Sequence, residues 1–457
     1  MALESRFYRK KGRVTMDENE LMGSMKVSKA VAKMAIPSVI SSLVTVVYNM
    51  ADTFFVGQTG DPLQVAAVSQ TNPIFILFMA FANMFGMGGS AAASMALGEK
   101  KEKRVKQVSS FITYASLIVG IVFAVILLVG MQPVLQLFGA DADTYELAKG
   151  YTTYISYGAP FIIWSAAASF VVRADGASRE AMTGSMIGTV ANIILDPIFI
   201  SGFGMGAAGA AIATTIGNIM ASVYYLWYFC RKSRNMSMEF RYFKCGDRIL
   251  SQVCSAGLPT AIFSALMSIS TIILNQILVA YGNAPVAAIG IVFKANMFIT
   301  FLQMGLANGV QPLLGYSYGA GNRERFIAVE RYTKKCCLIV GVLATALFFF
   351  FREPIIRLFI SDTEVINYGV EMLIAYMISG PVIGILFMNM NCMQSTGNAL
   401  PATILSILRQ GVLLIPVLYG LNALLGLHGV IYGQALTDYV AVLLSIVIWR
   451  WKRRKTL

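Results

Sequence analysis

The sequence predicts an all-α polytopic membrane protein, with twelve transmembrane helices in two pseudo-twofold related six-helix lobes. Three observations predict it. Of 457 residues, 57% are hydrophobic and 13% charged, against about 25% charged in an ordinary soluble protein, which excludes a soluble enzyme. The apolar residues come in long runs, such as 105–129, and about 20 residues rising about 1.5 Å each cross a hydrocarbon layer of about 30 Å. The second half of the chain also repeats the first at a nearly constant shift of 221 residues.

Dividing the chain at its apolar runs gives spans near 35–57, 64–90, 106–130, 147–172, 181–202, 207–229, 251–281, 286–316, 334–351, 366–393, 401–421 and 427–449. Residues 1–33 are polar and basic, without an apolar core ahead of a small-residue cleavage site. No cleavable signal peptide is therefore predicted, and span 1 acts as its own insertion signal. Of 36 Lys and Arg residues, 31 fall before span 1 or after even-numbered spans. Lys149, Arg352 and Arg357 lie on the opposite side, and Lys294 and Arg409 fall within spans. This asymmetry predicts that both termini are cytoplasmic. It also accounts for the formal charge of +13 without a nucleic-acid partner, because the basic residues sit in short clusters between apolar runs and form no face.

The expected organisation is a cytoplasmic tail over 1–33, a first lobe over 34–230, a charged cytoplasmic linker over 231–248, a second lobe over 249–450 and a basic tail over 451–457. The repeat supports it: Val65-Ala66-Ala67 matches Val286-Ala287-Ala288, and Gly88, Gly98 and Arg104 match Gly309, Gly319 and Arg325. The register continues through Pro133 and Pro354, Asp141 and Asp362, Pro160 and Pro381, and Gly176 and Gly397. Six spans per copy bring both copies into the membrane from the same side, so the pseudo-twofold axis runs along the membrane normal. Two such lobes enclose a cleft and rock against each other, which favours a transporter.

Cys230, Cys245, Cys254, Cys336, Cys337 and Cys392 lie near the cytoplasmic ends of spans, where reduced thiols are expected. Cys336 and Cys337 are adjacent rather than spaced as a zinc pair, and His428 is the sole histidine. Neither a metal centre nor another cofactor is expected.

Ionisable groups inside spans are costly and are functional candidates. Three aspartates lie inside spans and are the candidates: Asp52, Asp196 and Asp438. Counted from the expected span starts, Asp52 and Asp196 reach comparable depth in the outer half of the bilayer. Asn192 precedes Asp196 by four residues and shares its helix face, and Thr214 in span 6 returns to a similar level. Oxygens from Asp52, Asn192, Asp196 and Thr214 suit a small cation such as Na+, or the carboxylates share and release a proton. The plainer alternative is that Asn192 and Thr214 make interhelical hydrogen bonds; two close carboxylates, which repel unless neutralised, favour ion coupling. Asp438 lies one turn beyond Gln434 and has Arg409 as a possible structural partner. Lys294 either snorkels or lines the cleft. The 25 methionines suit an adaptable surface and equally suit core packing.

From about 35 to 451 the chain resembles the multidrug and toxic compound extrusion (MATE) transporters. The resemblance rests on Asn49-Met-Ala-Asp52-Thr-Phe-Phe-Val-Gly57, Arg173-Ala-Asp-Gly176, Asn192-Ile-Ile-Leu-Asp196-Pro197 and the duplicated plan. It implies a MATE/MOP-type fold in a bacterial inner membrane, a monomer, and export of organic, often cationic and amphipathic compounds driven by Na+ or H+. It places the cation site on Asp52, Asn192, Asp196 and Thr214, with the backbone of Ala210 as an extra ligand. The NorM branch also carries acids in spans 7 and 10, which 258–270 and 378–393 lack here; the pattern is closer to DinF-like and MepA-like members. Tyr48, Asn49, Tyr154, Tyr157 and Phe161 are candidate cleft residues, with Lys294, because aromatic rings attract flat cations. A flippase of lipid-linked saccharides on the same plan is the alternative, although its pyrophosphate usually meets a basic cavity and the spans hold only Lys294 and Arg409. A membrane enzyme is excluded because no Ser/His/Asp set, metal cluster or phosphate loop can be assembled.

Overall fold

The computed structural model describes residues 20–246 and 248–456. The basic residues Arg6, Arg9, Lys10, Lys11 and Arg13 of the expected tail, and Asp247 of the expected linker, lie outside the described residues. Eleven helices among the described residues are long and apolar enough to cross a membrane, and one bent pair makes a twelfth span. In chain order they are α1 (Val27–Gly57), α2 (Pro62–Gly98), α3 (Glu102–Val129), α4 (Tyr145–Ala174), α5 (Ser178–Gly202) and α6 (Gly206–Arg231). The second half follows with α7 (Ile249–Val279), α8 (Asn283–Gly319), α9 (Arg323–Phe350), α10 (Thr363–Ile378 with Gly380–Ser395), α11 (Ala399–Leu425) and α12 (Leu427–Thr456).

The repeat is written into the helix ends. α2 and α8 both have 37 residues and α3 and α9 both have 28, each pair displaced by the same 221 positions. Asp141 bonds to the Thr144 N–H at 2.9 Å and Asp362 to the Val365 N–H at 2.9 Å, so the acids matched in the sequence cap equivalent turns. Gly176 and Gly397 end α4 and α10 with φ of +88° and +71°, a conformation that a Cβ disfavours. One difference between the halves is that α10 bends by 45° near Pro381, which lacks the N–H that would bond to the carbonyl of Met377, whereas α4 carries the matching Pro160 without a break. The Met377 carbonyl instead accepts the hydroxyl of Thr345 on α9 at 3.2 Å.

Several boundaries differ from the expected ones. α1 begins at Val27, inside the stretch expected as a tail, and a short helical turn over residues 20–23 precedes it. Leu21 and Met22 of that turn are buried in the core of the second half. α12 continues to Thr456, through most of the expected basic tail. The segment between α6 and α7 is docked rather than strung between the halves. The Ser110 hydroxyl bonds to the Glu239 carbonyl at 3.0 Å and the Tyr114 hydroxyl to that of Met238 at 2.9 Å. Asp175 accepts Tyr228, Ser233 and Asn235 at 2.7–2.9 Å, and burial pushes its carboxyl above the ordinary range despite these donors.

The halves meet through α1 against α8 and α2 against α7. At the end of the bundle that carries the basic loops, α2 and α8 approach backbone to backbone. A Cβ on Gly98 would lie 2.2 Å from the Tyr316 carbonyl oxygen, and one on Gly319 would lie 2.1 Å from that of Met95. No side chain fits there, so this end is shut.

Candidate functional site

The site lies toward the opposite end of the first half. Although α1 starts earlier than expected, the depth match survives when counted from the far ends: Asp52 is five residues short of Gly57 and Asp196 six short of Gly202. Directly after Asp196, Pro197 and the wide turn Ile198–Gly202 interrupt the regular helix. Such wide turns inside helices free backbone groups and often mark functional sites.

Asn192, Asp196 and Thr214 are all buried, at 3%, 0% and 4% exposure. We assign the Asn192 amide with its nitrogen toward Asp196. In that orientation it donates to Oδ2 at 3.0 Å, and its oxygen accepts the Thr214 N–H at 2.9 Å and the hydroxyl at 3.1 Å. Since the Thr214 hydroxyl is then a donor to Asn192, the Tyr48 hydroxyl donates to it at 3.3 Å. A polar row results, from Tyr48 on α1 through Thr214 on α6 and Asn192 to Asp196 on α5. The row ends on an open valence: Oδ1 of Asp196 is buried and has no hydrogen-bond partner among the described residues. A buried carboxylate oxygen left without a donor is costly, and a proton or a small cation removes that cost.

Tyr48 also faces a cavity of about 280 Å³, shared with Asn49, Asp52, Lys294 and Met297. Asp52 is half-buried on its wall, and its carboxylate lies within electrostatic reach of Asp196 behind it. The two acids thus have different surroundings. Asp52 meets the cavity, whereas Asp196 is enclosed. Ala210 precedes Thr214 by one turn and is packed with Val56 and Ile200 under the site.

Of the aromatic candidates, Tyr48 lines this cavity; Tyr154, Tyr157 and Phe161 do not, and are exposed by 38%, 59% and 37%. They form a stripe at i, i+3 and i+7 on α4, turned away from the cavity wall. Tyr151, one turn earlier on α4, lines it instead, as does Asn72 on α2. The sequence carried a signal for both: Tyr151 begins the same aromatic run, and Asn72 ends a polar stretch, Ser69-Gln70-Thr71-Asn72, inside the expected span 2. In the second half, Arg409 Nε donates to Asp438 Oδ1 at 2.8 Å, and Gln434 Nε2 donates to the same oxygen at 3.0 Å. The partner considered for Asp438 from the sequence is therefore its partner in space. Among the described residues no group of three or more His, Cys, Asp or Glu side chains is placed to hold a metal ion.

The profile of the MatE family matches residues 37–198 and 259–419, two stretches that keep the internal shift to within a residue. The multidrug export protein MepA of Staphylococcus saprophyticus is 32% identical over 422 residues, covering 92% of this chain and 93% of its own. MepA of Staphylococcus aureus shows the same identity and coverage. Among solved structures, one described as the outward-facing conformation of a multidrug resistance MATE family transporter of the MOP superfamily superposes with a TM-score of 0.89 at 25% identity, covering 94% of this chain and 96% of that one. A MOP superfamily transporter from Pyrococcus furiosus superposes with a TM-score of 0.89 at 26% identity, over 95% and 97%.

Proposed function

The chain belongs to the MatE family of membrane transporters, and from that premise we propose that it exports organic, often cationic and amphipathic compounds in exchange for Na+ or H+ by alternating access. One observation carries the coupling part of this reading. The buried Oδ1 of Asp196 has no partner, and it ends a polar row that starts at the wall of a cavity holding Asp52. Hard oxygens from Asp196, Asn192 and Thr214, with Asp52 close by, suit a small cation, and the same carboxylates suit a proton. The export direction follows the name of the MepA relatives, which are multidrug export proteins.

In this reading the inward-moving cation neutralises Asp196 and Asp52, and the carboxylates stop repelling each other. The contacts of α1 with α5 and α6 then change, because Tyr48 is tied to the row that the cation completes. Substrate in the adjoining cavity loses the negative field of Asp52 and leaves. Linkage requires that a cation which weakens substrate binding is itself bound less well when substrate is present. The shut end at Gly98 and Gly319 supports a cycle in which that end and the cavity end open in turn. The protein works as a monomer in a bacterial inner membrane, with its termini and basic loops in the cytoplasm, as the distribution of Lys and Arg supports.

The experiment is transport of a fluorescent organic cation in proteoliposomes, with Na+ and pH gradients imposed separately. One gradient, and not a membrane potential alone, should drive accumulation against the substrate gradient. Gradient-driven accumulation that persists in both Asp52→Asn and Asp196→Asn proteins would overturn the coupling site.

A further inference from the structure

The second half encloses a cavity of about 300 Å³ that the coupling site does not use. It lies among α7, α8, α10, α11 and α12, walled by rings such as Phe263, Phe293 and Tyr376, with Asn296, Gln434, Asp438 and Arg409 as polar groups. At about 30 Å³ per water molecule in the liquid, it has room for a small aromatic compound.

Arg409 gives the cavity its chemistry. It is 6% exposed, and its guanidinium lies over the rings of Phe263 and Phe387, with Cζ at 5.2 and 5.8 Å from their centroids. It sits in the wide turn Leu408–Leu413 that interrupts α11, where the Gln410 carbonyl accepts the Ser270 hydroxyl of α7. Of its five N–H bonds, the one at Nε is spent on Asp438. Nη1 is buried and has no hydrogen-bond partner among the described residues. A planar guanidinium keeps its donors in a fixed fork, so an acceptor for Nη1 has to lie near the guanidinium plane, and Arg409 lines the cavity.

Charge balance selects that acceptor. Arg409 and Asp438 neutralise each other, so a buried anion would leave the pocket one charge negative and a cation one charge positive; either is costly in a low-dielectric interior. An uncharged acceptor leaves it neutral. We propose that this cavity is a second organic-ligand site, specific for an uncharged aromatic compound with a carbonyl or similar acceptor, held by the free donors of Arg409 between aromatic walls. The proposal rests on the export reading only in that it supplies a place for uncharged cargo beside the cavity that holds Asp52, with which it shares Met297 on its wall.

Benzophenone, two rings joined by a photoreactive carbonyl, is a direct probe. The full-length protein in detergent is irradiated with it, and insertion sites are read by peptide mass spectrometry. Label is expected at Met267 and neighbouring wall residues. Excess acetophenone should reduce it, whereas ethylbenzene, the same shape without the acceptor, and 2-phenylethylammonium, the cationic counterpart, should compete at least about tenfold less well, the effect of one hydrogen bond to a charged group. Arg409→Met should weaken labelling to a similar degree. Thr300→Trp, which fills the cavity and leaves the Arg409–Asp438 pair in place, should abolish it without lowering the melting temperature. Equal competition by ethylbenzene would reduce the cavity to an apolar void, and stronger competition by the ammonium would make it a cation site; either overturns the proposal, as does label that ignores Thr300→Trp. Should the variants fail to fold, the competition series on the unaltered protein decides. Because binding is read without any gradient, absence of cavity label in the unaltered protein with coupled transport intact refutes the pocket alone, and cavity label without coupled transport refutes the coupling reading alone.

Discussion

The hydroxyl of Tyr48 on α1 lies 3.3 Å from the hydroxyl oxygen of Thr214 on α6, which ties the helix bearing Asp52 to α6 and, through Asn192, to α5, the helix bearing Asp196. α1 also packs along α8 of the other half. A change at the acid site therefore has a physical route to the interface between the halves, through one helix that touches both.

That route gives the first prediction. Tyr48→Phe keeps the ring on the cavity wall and removes the hydroxyl. A single neutral hydrogen bond contributes about 0.5–1.5 kcal/mol, so cation-driven transport should fall by roughly two- to tenfold. Substrate binding measured without a gradient should change less, because the ring remains. Equal losses in both measurements would mean that Tyr48 only binds substrate.

The two acids should differ in their behaviour. Asp196 is enclosed and accepts the Asn192 amide, whereas Asp52 faces the cavity. Asp196→Asn sets an amide against an amide, so it should abolish coupling and also lower the melting temperature; a hydrogen bond to a charged group contributes about 1.5–3 kcal/mol. Asp52→Asn should abolish coupling with little thermal cost, and should weaken binding of cationic substrates more than of neutral ones. Melting curves together with binding of a matched cationic and neutral pair check both.

Much of this was legible in the sequence, and the parts that were not have a common cause. Twelve spans follow from composition, since hydropathy needs no knowledge of neighbours. The link between Asn192 and Asp196 follows from a spacing of four on one helix, and the Asp438–Arg409 pair from the scarcity of charges in the spans. The sequence could not say which aromatic residues of α4 meet the cavity. Tyr151 does, and Tyr154, Tyr157 and Phe161 do not, because a rotation of about 100° per residue decides it and every face of that helix is apolar. The start of α1 was misjudged for a similar reason: Lys26, Lys29 and Lys33 read as tail, yet they alternate with Ala30, Val31 and Met34, which are buried.

The shut end offers a mechanical test. Gly98→Leu would drive a side chain into the Tyr316 carbonyl, which a bare Cβ already approaches to 2.2 Å. Overpacking of this kind costs about 1–3 kcal/mol, charged only to the state in which α2 and α8 touch. Spin labels on Lys100 and Glu324 should therefore report a larger population of long distances in Gly98→Leu than in the parent. Gly319→Leu should do the same, because its Cβ would meet the Met95 carbonyl. An unchanged distance distribution in both would mean that this contact is not part of the transport cycle.

The last prediction comes from the pair Arg104 and Arg325, which the sequence matched across the repeat without indicating a role. Each sits at the start of the helix after the long second span of its half, and each reaches across to the other half, Arg104 to its first helix and Arg325 to the segment just ahead of it. Arg104 Nη2 donates to Gln252 on α7 at 3.1 Å. Arg325 donates to the carbonyls of Leu21, Met22 and Met25, just ahead of α1, at 2.8–3.0 Å. The three bonds use Nε, Nη1 and Nη2 together, a fork that lysine cannot reproduce. They close the chain end preceding α1 onto the second half, where Leu21 and Met22 are buried. Arg325→Lys should therefore release residues 20–26 while α9 stays folded. Amide hydrogen exchange in that segment should rise at least about tenfold, corresponding to roughly 1.4 kcal/mol or the loss of one charged hydrogen bond, with exchange in α9 unchanged. Matching protection in the Arg325→Lys protein would show that burial of Leu21 and Met22 alone holds the segment.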